Sequence, residues 1–212
     1  EDRPENDLSR VSAPGRNEYA GQGPVNPAPP IPCYVSGKGM HASDRTRNFK
    51  VIVIEALEAS GLGYDTRYRF YRKQFPGTGP GKLARMVCDP IELYDKDWKD
   101  YLAKYGEGRD EEGALAEFVL ERDSLFRREA KAAVYCYDEA GFGSGVNSMR
   151  FIGERKPILG FYHPESKKSG TNLTNIIQLR VEYPERVTLV AYRSLDEIPG
   201  EVNAWLRGIA NP

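Results

Sequence analysis

"AAVYCYDEAGFGSGVNSMRFIGERKPILGFYH", residues 132–163, holds the signal that decides the fold. "AAVYCYD" is a continuous apolar run, the mark of a strand buried on both faces. A glycine-rich turn, "GFGSGV", follows it. "NSMRFIGER" reads as a short helix, and "PILGFYH" as a second buried strand. Strand, helix and strand in so few residues make a βαβ unit, which is right-handed and needs a parallel sheet.

The same alternation extends both ways. Upstream, "CYVSGKG" from Cys33 reads as a strand running into a glycine turn. "RNFKVIVIEALEASGLG" reads as a helix, with Phe49, Ile52, Val53, Ala56 and Leu57 on one face and Gly61 and Gly63 as stops. "RYRFYR", Arg67 to Arg72, alternates like a second strand. Residues 73–110 read as an insertion with a helix around Leu93 to Tyr105. "EEGALAEFVLERDSLFRREAK" is an amphipathic helix with Leu115, Phe118, Val119, Leu125 and Phe126 as its stripe. Downstream, "LTNIIQL" reads as helical, "VTLVAY" as the fifth strand and "SLDEIPGEVNAWLRGI" as a closing helix. The expected architecture is α/β, a flavodoxin-like or Rossmann-like three-layer sandwich with a five-stranded, mainly parallel sheet. Ligands bind such sheets beyond the carboxyl ends of the strands. That rim should carry Ser36 to Gly39, the Asp138 to Val146 turn and the loop after His163.

Residues 1–32 form a different unit, an extended arm, followed by a domain over 33–212. The arm holds seven of the fifteen prolines, and "GPVNPAPPIP" favours polyproline geometry. Alone it cannot bury enough surface to offset its ordering entropy. It is therefore expected to lie on other protein subunits.

Bulk composition removes several function classes. The 212 residues carry a net charge of −1. That excludes a dominant electrostatic surface for direct nucleic-acid binding. No run reaches the ~18 apolar residues of a membrane span. The three cysteines, Cys33, Cys88 and Cys136, are far apart, and the two histidines are His41 and His163. Neither a disulfide framework, a metal site nor a histidine triad is expected, and no cofactor is called for. The first residue is Glu1, which leaves open a trimmed chain or a removed targeting segment. An intracellular location is expected, and mitochondrial residence would fit the second case.

Several residues tempt a sharper reading. "PGTGPGKL", Pro76 to Leu83, is one residue short of a phosphate loop and has Leu83 where a Ser or Thr must hold magnesium; it reads as a surface loop. "GFGSGV" is a better anion cradle, although a plain tight turn explains it equally. Asp123 sits on the long helix, where pairing with Arg127 at helical spacing would make it a surface group. Tyr34 reads as a core tyrosine and His163 as a loop residue.

Order and spacing of these pieces resemble the nucleoside 2-deoxyribosyltransferase superfamily, nearest the 2′-deoxynucleoside 5′-phosphate N-hydrolases. The resemblance covers roughly residues 33–206. It rests on Tyr34-Val35-Ser36-Gly37, Glu121-Arg122-Asp123, Gly143-Ser144-Gly145-Val146-Asn147, Lys156-Pro157-Ile158-Leu159 and the "LTNII" segment, Leu173 to Ile177. It implies an N-glycosidase site in which a Glu attacks the anomeric carbon and forms a glycosyl-enzyme. Tyr34 and Asp123 fall on the helper positions. Ser36, Gly37, Gly39, Gly143, Ser144, Gly145, Thr174 and Asn175 fall on the nucleotide-binding ones. The nucleophile position holds Asn147, a neutral amide that cannot form the usual ester intermediate. Ser148-Met149-Arg150-Phe151 replaces a small-residue helix start, so Met149 and Phe151 are expected to crowd the pocket. Two readings follow. One is a catalytically retired subunit of a larger assembly that keeps at most nucleotide binding. The other is an active enzyme on deoxynucleoside monophosphates in which Asp123 or Asp138 supplies the carboxylate.

Overall fold

The computed structural model describes residues 29–38, 42–88, 93, 99–103, 111–165 and 170–210. Residues 1–28, which include most of the expected arm, and Gly39 and His41 lie outside the described residues. So does most of the helix expected over Leu93 to Tyr105.

Five strands form one parallel sheet in the order β2-β1-β3-β4-β5. They are β1 (Ile31–Ser36), β2 (Gly63–Asp65), β3 (Ala132–Cys136), β4 (Ile158–Tyr162) and β5 (Val187–Ala191). This is the flavodoxin-like order, whose topological switch point lies between the carboxyl ends of β1 and β3. Alternate residues of the central strands face opposite layers. Cys33, Val35, Val134, Cys136, Leu159 and Phe161 look toward helix α1 (Asp44–Ser60), where Phe49 meets Phe161 edge-on at 5.3 Å. The closing helix, α7 (Ile198–Ala210), packs against α1.

Between these come α2 (Thr66–Gln74), α3 (Pro80–Cys88), α4 (Glu111–Glu129), α5 (Phe142–Gly153) and α6 (Gly170–Glu182). Tyr34, Tyr135 and Tyr137 look toward α5, where Tyr34 and Tyr135 both pack on Phe151. Phe126 of α4 meets Phe70 and Tyr71 of α2, and the main core is continuous. Of the expected α4 stripe, Phe126 joins this core. Phe118 sits with Tyr101 and Ala114 in a separate small cluster, Val119 and Leu125 are half-buried, and the Leu115 side chain lies outside the described residues.

Three expectations need correction. Arg67 to Arg72 is helix, not strand; the strand is the short Gly63–Asp65 just before it. Asp65 caps α2, its Oδ1 accepting from Tyr68 N at 2.8 Å, while Oδ2 accepts from Val35 N at 2.9 Å. The capping carboxylate outweighs the alternating pattern, and Tyr68 and Tyr71 then share one buried helical face. Second, Pro76 to Leu83 is not wholly a surface loop. Pro80 opens α3, and Leu83 is fully buried against the core. Third, the first strand begins at Ile31, inside the stretch assigned to the arm.

Candidate functional site

The rim beyond the strands forms as the topology requires. Ser36 ends β1 and is buried, and Gly37 follows it. A Cβ on Gly37 would stand 3.2 Å from Cys136 Cβ, so the chain leaves β1 close against the end of β3. Asp138, 6% exposed, follows β3 and is held from two sides. His163 N donates to its Oδ1 at 2.6 Å, and the Tyr192 hydroxyl donates to its Oδ2 at 2.5 Å. Arg45 Nε lies 3.7 Å from the same oxygen. Asp138 thereby joins the ends of β3, β4 and β5. A carboxylate so committed is a joint of the scaffold and is badly placed to attack a sugar.

Its neighbour Glu139 closes the start of α1. Its Oε2 accepts from Ser43 N at 2.8 Å and from the Thr46 hydroxyl at 2.9 Å. A helix amino terminus at a switch point is where doubly wound folds place a phosphate. Here the chain's own carboxylate stands at that terminus.

Tyr34 and its surroundings form the second part. The ring is 2% exposed, stacks on Phe151 at 6.0 Å and lies under the Arg67 guanidinium at 5.0 Å. Arg67 also donates to the Val35 carbonyl. Burial raises the Tyr34 hydroxyl pKa, the Asp123 charge raises it further, and Arg67 and Arg127 oppose both. Asp123 therefore lies within electrostatic reach of Tyr34. Its own ion pair is with Arg122 at 3.4 Å, whereas Arg127 donates to Ser124 Oγ at 2.8 Å. The expected Asp123–Arg127 pair is replaced by these two contacts.

Asn147 is half-buried in α5, one turn before Phe151 and on the same side of the helix. That places it on the flank Tyr34 occupies. Phe151, 2% exposed, fills the space between Tyr34 and Tyr135. Lys156 holds it there: Nζ lies 5.4 Å from the Phe151 ring, bonds Glu154 at 2.6 Å and donates to the Arg127 carbonyl at 3.2 Å. Met149 does not crowd this side. It is 45% exposed on the opposite flank.

The glycine turn is also corrected. α5 starts at Phe142, so Gly143, Ser144 and Gly145 lie in its first turn. Ser144 is buried and its carbonyl accepts from Ser148 Oγ at 2.8 Å. Ser148 Oγ in turn shares a hydrogen bond with the Tyr137 hydroxyl at 2.9 Å. Gly145 and Asn175 line a different cavity, about 680 Å³ between α5 and α6, whose walls include neither Tyr34, Asp123 nor Asn147. Thr174 is exposed on α6 beside it. Of the described positions expected to bind a nucleotide, Gly145 and Asn175 line this cavity and Ser36, Gly37, Gly143, Ser144 and Thr174 do not.

Sequence reasoning misses Arg67 and Glu139 here and gives Arg127 only as a partner of Asp123. Arg67 was hidden by the wrong element assignment, and Glu139 acts over 93 residues, a range no local pattern reports. Among the described residues no cluster of three or more His, Cys, Asp and Glu could hold a metal ion, and no helix is long and apolar enough to cross a membrane. Fold and site together define a doubly wound, flavodoxin-like α/β protein. No protein-family model and no curated protein matches the chain.

Proposed function

We propose that this chain is a non-catalytic member of the deoxyribosyltransferase-like class, serving as a folded subunit of a larger assembly. The observation that carries the reading is the fate of its carboxylates. The position where the resemblance calls for a nucleophilic Glu holds Asn147. Asp138 is engaged by Tyr192, His163 and Arg45. Glu139 is engaged by the start of α1. An amide supplies no charge to an oxocarbenium-like transition state, and every ~1.4 kcal/mol lost there is tenfold in rate. Phe151 packed between Tyr34 and Tyr135 further supports a site refilled by protein. The proline-rich arm supports subunit contacts beyond the domain.

A second reading keeps one specific support. Asp123 is a half-buried carboxylate whose charge reaches Tyr34, which supports a carboxylate that activates water directly by taking its proton. Mild affinity purification from the source separates the two. The subunit reading expects other proteins to co-purify in fixed ratio. A chain recovered free of other proteins and releasing base from deoxynucleoside monophosphates would contradict it.

A further inference from the structure

The crossovers from β3 to β4 and from β4 to β5 run in one direction across the sheet, so right-handedness puts α5 and α6 side by side on one face. Packed neighbouring helices lie about 8–10 Å apart, yet these two make little direct contact. A cavity of about 680 Å³ stands between them. On α5 its wall is one helical stripe, Phe142, Gly145, Val146, Met149 and Arg150, at i, i+3, i+4, i+7 and i+8. On α6 it is Asn175, Ile176 and Leu179, and Tyr137 joins from the end of β3. From Phe142 to Arg150 is roughly 12 Å along the helix axis, so the cavity runs between the helices as a trough. Its middle is open, since a Cβ on Gly145 would meet nothing within 4 Å.

We infer that this trough binds an apolar monocarboxylic acid, a fatty acid of medium chain length, with its carboxylate on Arg150 and its alkyl chain running toward Phe142. The size fits, because small-molecule pockets span roughly 300–1,000 Å³ and are mostly apolar. The charge fits as well. Among the described residues Arg150 is the one charged group in the wall, and no carboxylate lines it. Arg150 is exposed and makes no ion pair among the described residues. A guanidinium fork takes a carboxylate through two parallel hydrogen bonds. The rest of the wall offers a polar ligand little: Asn175 supplies an amide, and the Tyr137 hydroxyl is already shared with Ser148. A sugar or a base would leave polar atoms unpaired there, whereas an alkyl chain gains by leaving water. Phe142 and Met149, 90% and 45% exposed, would then be covered. The trough lies apart from Tyr34, Asp123 and Asn147, so this inference goes beyond the subunit reading and either can fail alone.

The experiment is isothermal titration of the full chain with laurate, below its micelle-forming concentration, beside Arg150→Gln, Gly145→Leu and butyrate as a short-chain control. The native chain should take up one laurate. Arg150→Gln keeps a hydrogen-bond donor but no charge, and should weaken binding at least about tenfold. Gly145→Leu puts an alkyl group into the trough, and should abolish binding with an undiminished melting temperature, since Leu favours helix over Gly. Butyrate, too short to fill the trough, should bind at least about 100-fold more weakly than laurate. No saturable uptake of laurate by the native chain would overturn the inference. So would uptake that either substitution leaves unchanged, the mark of adsorption to exposed apolar surface.

Discussion

Tyr135 and Tyr137 stack at 5.3 Å with their planes 6° apart, yet their hydroxyls meet different surroundings. Tyr137 shares a hydrogen bond with Ser148, while the Tyr135 hydroxyl is buried with no hydrogen-bond partner among the described residues. Removing a bonded hydroxyl costs about 0.5–1.5 kcal/mol, and removing an unpaired one costs nothing or stabilises. Tyr137→Phe should therefore lower the urea midpoint, and Tyr135→Phe should leave it unchanged or raise it. Gly160 depends on the same rings. A Cβ there would stand 2.4 Å from Tyr137 Cε2, and the ring is pinned by Tyr135 and Ser148. Gly160→Ala should cost about 1–3 kcal/mol, read from the same denaturation curves. At this scale the sequence shows residue types and their order. Tyr34 and Asp123 could be named from motif order, but the stacking of Phe151 on Tyr34 could not, because it joins side chains far apart in the chain.

The helices and strands differ in how openly the sequence declares them. β3 and β4 are buried along nearly their whole length, and their apolar runs read directly as central parallel strands. α2 reads as a strand because Arg67-Tyr68-Arg69-Phe70 alternates polar and apolar, whereas Asp65-Thr66 is a helix-start signal that only the cap geometry makes decisive. The glycines of α5 look like a turn from composition, but the chain already bonds helically there, Ser144 N to the Gly141 carbonyl at 3.1 Å and Gly145 N to the same oxygen at 3.3 Å. The start of α1 combines a local and a distant cap, Ser43 and Glu139. A carboxylate accepting there should contribute about 0.5–2 kcal/mol. Glu139→Ala should lower the melting temperature, and Glu139→Gln, which still accepts a hydrogen bond, should lower it less.

Across the whole molecule the core holds its protons tightly. Burial pushes the Cys136 thiol up from 9.0 to about 12, with the Asp138 charge adding to it. Burial likewise pushes the Tyr137 hydroxyl up from 10.0 to about 12. Between pH 9 and 12 for the thiol, and 10 and 12 for the phenol, the unfolded chain has released protons that the folded chain keeps. Stability contributed by these groups is complete below the unfolded values and falls as pH rises through that window, by up to about 1.4 kcal/mol per pH unit per group. Equilibrium denaturation at pH 8 and pH 10.5 should show the decline. Cys33, Cys88 and Cys136 are all buried, so a thiol reagent at pH 8 should label them only on unfolding. The five-stranded parallel sheet was accessible from the apolar runs, because a strand buried on both faces needs a helix over each; the order of its strands was not, since periodicity does not say which strands are neighbours. That only Gly145 and Asn175 of the expected nucleotide positions line the α5/α6 cavity was not legible either, since it depends on which flank of a helix each residue takes. The most direct test of the retired-site account is release of free base from a panel of deoxynucleoside 5′-monophosphates by the native chain at high concentration. The account predicts no release above the uncatalysed background; many turnovers per chain, abolished by Asp123→Asn, would contradict it.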